Sequence, residues 1–237
     1  MIHQKLWNLS LSMTSAFGAK YDLEIMSTKE DFWENIKNNE VGLDSEIIFG
    51  VPESQGLERA IRKEEISQFL GRFGVSSHKT FKVKIEELLQ GSELNVLFDS
   101  IRGSLLVMPL QERAKLLKSI QHEQEKYIRY SVVAQYDKTL LACGIRGFDI
   151  ANGTSLCRLS AYLGYIEEEE MFNWLEQIAS LANTYFGSFK EYALSSTVGG
   201  LFWVGSGNVD DAFLKNYYNC LQHPYSYWKH LTWDQCQ

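Results

Sequence analysis

The stretch IEEEEMFNWLEQIASLANTY, Ile166 to Tyr185, decides how the chain is read. Met171, Trp174, Leu175, Ile178, Leu181, Ala182 and Tyr185 recur at steps of three and four. That spacing puts them on one stripe of a helix, whereas a strand face would need steps of two. Gly164 stands just upstream, where a preceding helix would end. Four glutamates in a row, Glu167 to Glu170, raise a second question: chemistry or helix start. With Glu167 at the cap position, Ile166 and Met171 occupy the two sites of a hydrophobic staple. Carboxylates in a first turn face unpaired N–H groups and stabilise the helix by roughly 0.3–1 kcal/mol each. Neighbouring helix residues fan out by about 100°, so the four cannot converge on one reacting atom as paired acid–base carboxylates must. The run therefore reads as a helix opening. What it keeps of function is an exposed acidic knob at Glu168 and Glu169, a surface for a basic protein partner.

The same period extends outward. Ile145, Phe148, Leu156, Leu159 and Leu163 mark a helix ending at Gly164. Phe189, Tyr192, Val198, Phe202 and Trp203 mark another, across Gly199 and Gly200, which permit close helix approach or a bend. Asn208, with Asp211 at its third position, is expected to cap a last long helix. Upstream, helices are predicted over 4–18, over Leu57–Phe73 ending at Gly74, and around Phe81–Leu89 ending at Gly91. Two more follow, around Leu94–Ile101 and from Pro109 to about Tyr130. The run YSVVAQY, Tyr130 to Tyr136, is β-branched, but no partner strand is evident and it reads as helix. Ser27 and Glu30 form a capping-box pattern opening a helix through about Lys37. Residues 38–56 show little periodicity and read as a loop or insertion. The expectation is an all-α protein, a compact multi-helix domain of about nine or ten helices with little or no sheet. Residues 1–56 form N-terminal helices and an irregular segment, 57–237 the main helical domain, and together one compact unit.

Composition narrows the function classes. The 237 residues are 45% hydrophobic and 22% charged, ordinary for a folded globular chain. A net charge of -7 lacks the basic balance of a nucleic-acid binder, so none is expected. No apolar run approaches the roughly 18 residues of a membrane span, so no membrane partner is expected. The first twenty residues faintly resemble a signal peptide, but Asn8, Ser10, Ser12 and Thr14 break the apolar centre. Cys143, Cys157, Cys220 and Cys236 are scattered without CxxC pairing, which suits a reduced, cytoplasmic setting. His122-Glu123 lacks the second histidine of a zinc helix, and His223 and His230 lack an acid or cysteine cluster. No metal and no cofactor is expected. The Gly-rich stretch Gly199–Asn208 lacks the lysine of a phosphate loop, and Ser76–Lys79 matches Ser-x-x-Lys only as a turn and helix start. No residue is assigned a catalytic role.

Several spacings in the last third resemble the bacterial domain-of-unknown-function family 1266. Asp149 stands nine residues before Arg158, and Gly164-Tyr165 follow. An acidic first turn comes next, with Phe172 where the family usually has Trp. Gly187 to Tyr192, GSFKEY, and the pair Gly199 and Trp203 complete the pattern. Upstream, Phe69–Ser77, Ile85–Ile101 and the opening LWNLSLS are similar as well, so the resemblance covers roughly two-thirds of the chain. Two positions depart: Asn152 stands where the family often has Arg, and Gly91-Ser92-Glu93 where it often has Gly-His-Arg. Any ion pair those cations close is absent or displaced here. The resemblance implies an all-helical bacterial domain and no particular reaction.

Two readings of function remain. Asp149, Asn152 and Arg158 form the candidate polar site of an enzyme or small-ligand protein. The competing reading makes Asp149 a helix cap and Arg158 half of a buried ion pair, because nine helical steps separate them by about 180°. The other function class is a non-catalytic protein-binding module, for instance an immunity- or antitoxin-type protein covering a basic toxin domain. Its candidate contacts are Glu168 and Glu169 together with Tyr225, Tyr227, Trp228 and Trp233, since Tyr and Trp are enriched at interfaces. Trp174, Phe189, Tyr192, Phe202 and Trp203 are assigned to the core.

Overall fold

In the computed structural model, which describes residues 2–38, 42–205 and 212–236, helix follows helix. The chain opens with α1 (Ile2–Ser10), a 3-10 turn (Leu11–Thr14), α2 (Gly18–Ser27), α3 (Phe32–Lys37) and α4 (Ser45–Phe49). It continues through α5 (Gly56–Arg72), α6 (His78–Gln90), α7 (Glu93–Leu106), α8 (Leu110–Ser119) and α9 (Gln124–Tyr136). The last third holds α10 (Arg146–Tyr162), α11 (Glu168–Tyr185), α12 (Phe189–Val204) and α13 (Ala212–Gln222). No strand occurs among the described residues.

Helix α10 is the axis of the structure. Every residue from Arg146 to Ser160 is buried, so the helix is enclosed on all sides. Ile145 and Phe148 join a cluster built by Phe98, Ile101, Val133 and Phe202. Ile150, Leu156, Cys157 and Leu159 join the larger cluster with Leu6, Trp7, Phe81, Leu175 and Tyr192. Glycines make the closest approach possible. A Cβ on Gly147 would fall 2.7 Å from the Ser196 amide, and one on Gly199 would fall 2.3 Å from the Phe148 Cβ. The Gly199 position is therefore a close approach of α12 to α10, and α12 runs through it without a break.

The start of the chain is built into this core. Residues 6–15 are all buried, and hydrophobic side chains of α1 through α4 share the larger cluster. The predicted helix 4–18 ends early, at Ser10. Ser10 and Ser12 donate to the carbonyls of Trp7 and Leu9, three residues back, and the backbone tightens into the 3-10 turn.

Other boundaries shift for similar reasons. Ser27 closes α2 instead of opening a helix: its hydroxyl donates back to the Glu24 carbonyl, and α3 starts only at Phe32. The expected loop 38–56 contains α4, capped by Asp44 accepting from the Ile47 amide. The helix predicted from Pro109 to Tyr130 is two helices, α8 and α9. YSVVAQY lies within helix as read, forming the second half of α9. The Asn208–Asp211 cap lies outside the described residues.

Helix α11 follows its pattern closely. Glu167 occupies the cap position with extended backbone, although its side chain makes no cap bond. Ile166 and Met171 are both buried in the larger cluster, as the staple requires. Glu170 accepts from Trp174 Nε1 at 3.3 Å and meets His78 Nε2 at 3.0 Å, while Glu168 and Glu169 are exposed.

Candidate functional site

The three polar candidates all sit on α10, and the helix aims them in different directions. Asp149 lies in its first turn and is 1% exposed. Its carboxylate accepts from the Ser92 amide at 2.9 Å, the Ser92 hydroxyl at 2.8 Å and Asn95 Nδ2 at 2.6 Å. Arg146, one turn earlier, completes the set with Nη1 at 3.1 Å. Ser92 is the residue that opens α7, so Asp149 places negative charge at that helix's N-terminal end. Arg146 Nη2 meanwhile donates to the Leu89 carbonyl at 2.6 Å, in the last turn of α6. One buried pair thus joins the positive end of α7 and the negative end of α6. Gly91 bridges them at φ 112°, and a Cβ there would meet Arg146 Nη1 at 2.6 Å. Burial raises the Asp149 carboxyl above its ordinary value, against the pull of the Ser92 donors and Arg146.

Arg158 points to the opposite side. Its Nη1 and Nη2 donate to both oxygens of Asp22, at 3.0 and 2.9 Å. Nη1 also reaches the Ser12 hydroxyl, and the Leu9 carbonyl at 3.3 Å. Nη2 and Nε donate to the Ile47 and Ile48 carbonyls at 2.7 and 3.1 Å, in the last turn of α4. Arg158 is 2% exposed and Asp22 fully buried. Asp22 holds the guanidinium's pKa above its ordinary value, although burial pulls the other way. Asn152 takes part in neither cluster: its Nδ2 donates to the Phe148 carbonyl of its own helix at 2.8 Å. Asp149, Asn152 and Arg158 do not converge.

Sequence reasoning missed Arg146 and Asp22, the counter-ions of its two best candidates. Arg146 sits three residues before Asp149, a spacing that brings side chains together on a helix. This was the available signal. It also shows where a cation stands although Ser92-Glu93 and Asn152 lack one. Nothing in local spacing points to Asp22, which belongs to a different helix.

The remaining candidates divide. Tyr227, Trp228 and Trp233 are buried. Trp228 Nε1 donates to the Ser10 hydroxyl at 3.0 Å, and Trp233 Nε1 to the Phe186 carbonyl at 2.9 Å. Trp233 packs edge-on to Trp7 at 4.9 Å, so these rings clamp α1 against α12. Only Tyr225, 38% exposed, stays on the surface with Glu168 and Glu169.

Two surface features were not anticipated. A cleft of about 530 Å³ opens over Asp149, with Arg72, Lys84, Arg129 and Trp203 among its walls. At the α7–α8 turn, Leu106, Val107 and Leu110 are 57%, 84% and 76% exposed. No group of three or more His, Cys, Asp or Glu among the described residues could hold a metal ion. No helix of the described residues is long and apolar enough to cross a membrane.

The model of a family described as protein of unknown function (DUF1266) matches residues 70–233. No curated protein and no solved structure matches the chain. The match begins after Asp22, Ile47 and Ile48, so the partners of Arg158 lie outside it.

Proposed function

The chain belongs to the DUF1266 family, and from the surface it presents we propose that it is a non-catalytic protein-binding module. One observation carries this reading: the aliphatic tip at the α7–α8 turn. Exposed Leu106, Val107 and Leu110 lie within five residues of one another, and α8 contributes no buried residue at all. Helix α8 reaches the core only through half-buried side chains such as Leu116, while the turn that opens it displays aliphatic side chains to solvent, which a partner explains better than stability. The tip is also held in place. Arg113 donates through Nε to the Met108 carbonyl at 3.0 Å and through Nη2 to the Leu106 carbonyl at 3.5 Å. A fixed turn loses little entropy on docking. Arg113, Lys115 and Lys118 outnumber Glu112 on α8, so the partner at this tip is an apolar groove with an acidic rim.

The immunity- or antitoxin-type version places a basic partner on the acidic turn instead. Exposed Glu168 and Glu169, neither engaged in an ion pair among the described residues, support that second reading. A cytoplasmic setting suits both, with Cys143, Cys157 and Cys220 free. The enzyme or small-ligand reading around Asp149, Asn152 and Arg158 has less support, because the three groups face different sides of α10 and are sealed by protein donors and acceptors.

The test is cross-linking and affinity capture in the native host with three forms: unaltered, Val107→Asp/Leu110→Asp, and Glu168→Lys/Glu169→Lys. A stoichiometric partner lost only in the first variant supports the tip. Loss only in the second supports the acidic turn. No stoichiometric partner in any form sinks the binding-module reading.

A further inference from the structure

The cleft over Asp149 has the size of a small-molecule site. Its volume of about 530 Å³ lies within the range of roughly 300–1,000 Å³ typical of ligand pockets. Its walls come from the ends of α5 and α7 and from the sides of α6, α9, α10 and α12, all inside the span matched by the family.

The chemistry follows from which polar groups are already occupied. Asp149 on the floor accepts four hydrogen-bond donations and has nothing left for a ligand. Lys84 and Glu87 neutralise each other at 2.5 Å. Arg129 pairs with Glu125 at 2.8 Å, but its Nε is buried with no partner. Arg72 and Glu93 are exposed, and no hydrogen bond or ion pair of either side chain occurs among the described residues. The free charges are therefore cationic at Arg72 and anionic at Glu93, and the Arg129 Nε is an unpaired donor beside them in the lining. The same cleft has an apolar wall. Trp203 packs against Phe73 at 6.1 Å and Phe148 at 5.9 Å, and Leu94 and Leu97 extend it.

We propose that this cleft binds a zwitterionic α-amino acid with an aromatic side chain. The carboxylate lies toward Arg72 and Arg129, the ammonium toward Glu93, and the ring against Trp203 and the leucines. A singly charged ligand would leave one of the free groups unanswered, and a polar side chain would be wasted on that wall.

The test is calorimetric titration of the whole chain with L-tryptophan, L-phenylalanine and L-tyrosine, and with two analogues of tryptophan. Tryptamine lacks the carboxylate; indole-3-propionate lacks the ammonium. At least one amino acid is expected to bind saturably. Tryptamine and indole-3-propionate are each expected to bind roughly tenfold or more weaker than L-tryptophan, the loss of one charge-assisted bond. Arg72→Gln should weaken L-tryptophan and leave tryptamine unchanged. Glu93→Gln should weaken L-tryptophan and leave indole-3-propionate unchanged. Both residues are exposed, so unchanged melting temperatures will show that the fold is intact. No saturable binding of any of the three amino acids up to about 5 mM, equal affinity for L-tryptophan and both analogues, or indifference to both substitutions overturns the proposal.

Discussion

Arg158 and Asp22 lie 136 residues apart in the chain and meet through two parallel hydrogen bonds in the centre of the structure. The pair is fully desolvated, and its geometry is the bidentate fork that makes guanidinium–carboxylate contacts strong. It also has a topological consequence. Asp22, the Ser12 hydroxyl and the carbonyls of Leu9, Ile47 and Ile48 all come from the first 50 residues, and all converge on one side chain of α10. The N-terminal helices are thereby fastened to the axis of the family-matched region.

Removing one partner should therefore be severe. Arg158→Ala leaves a buried carboxylate and several carbonyls without donors, with an expected loss of about 3–5 kcal/mol in unfolding free energy. The double variant Arg158→Met/Asp22→Leu removes both charges and should recover part of that loss. Its recovery stays incomplete because the Ile47 and Ile48 carbonyls remain unpaired. Urea denaturation of the three proteins measures this directly. A single variant within about 1 kcal/mol of the parent would show that the pair does not anchor the fold.

Gly50 supplies an independent probe of the same contact. It closes α4 at φ 65°, and a Cβ built on it falls 2.5 Å from Arg158 Nη2. Gly50→Ala should cost about 1–2 kcal/mol for the left-handed backbone alone, with a further loss from displacing the guanidinium. In the Arg158→Ala background the second part disappears. The two substitutions should then be non-additive, the combined loss being smaller than the two single losses together. Strict additivity in a double-mutant cycle would place the cost in the backbone alone.

Asp149 gives a pH signature. Burial raises its folded-state carboxyl above the ordinary 3.8, so the native state holds that proton more tightly than the unfolded chain. Its contribution to stability is accordingly full below the unfolded value and is lost as pH rises through the folded one. Asp149→Asn cannot ionise. The stability of the parent minus that of Asp149→Asn should fall as pH is raised from below 3.8 and level off above the folded value. Urea melts of both proteins at stepped pH supply the comparison. A difference that instead grows with pH would mean that Arg146 and the Ser92 donors overcome burial.

Helix type was legible because burial and period coincide: α11 alone, with Met171, Leu175 and Ile178 inward, needs nothing beyond its own residues. Helix α10 was legible as a helix but not as the axis. It is enclosed on all sides, so it carries no amphipathic contrast to reveal its place. Short polar segments misled most. Ser27 has the letters of a cap, yet its hydroxyl turns back to Glu24, and local sequence does not distinguish these two uses of serine. The candidate site divides along the same line. Asp149 and Arg158 stood out by their nine-residue spacing, and both are buried ion-pair partners. Asp149 meets Arg146 within its own helix, whereas the counter-ion of Arg158 depends on packing between distant helices, as Asp22 shows. The aromatic tail looked like an interface because ring density does not say whether the rings face in or out. Trp228 and Trp233 face in, where their indole N–H groups find Ser10 and Phe186.

The acidic turn of α11 separates its two possible roles by salt. Glu168 and Glu169 are exposed in the first turn, where negative charge opposes the partial positive charge of the helix end. Glu168→Lys/Glu169→Lys replaces two favourable interactions by two unfavourable ones, so the expected loss is about 1–2 kcal/mol at low ionic strength. Because both side chains are in solvent, that loss should shrink markedly once the Debye length falls to about 3 Å in 1 M salt. Core variants such as Arg158→Ala should show no comparable relief, since the buried pair is screened far less. Thermal or urea melts at two salt concentrations distinguish these cases. A loss that persists in high salt would mean that the glutamates act through packing. No loss at either concentration would remove the helix-opening role and leave recognition as the reason for the run.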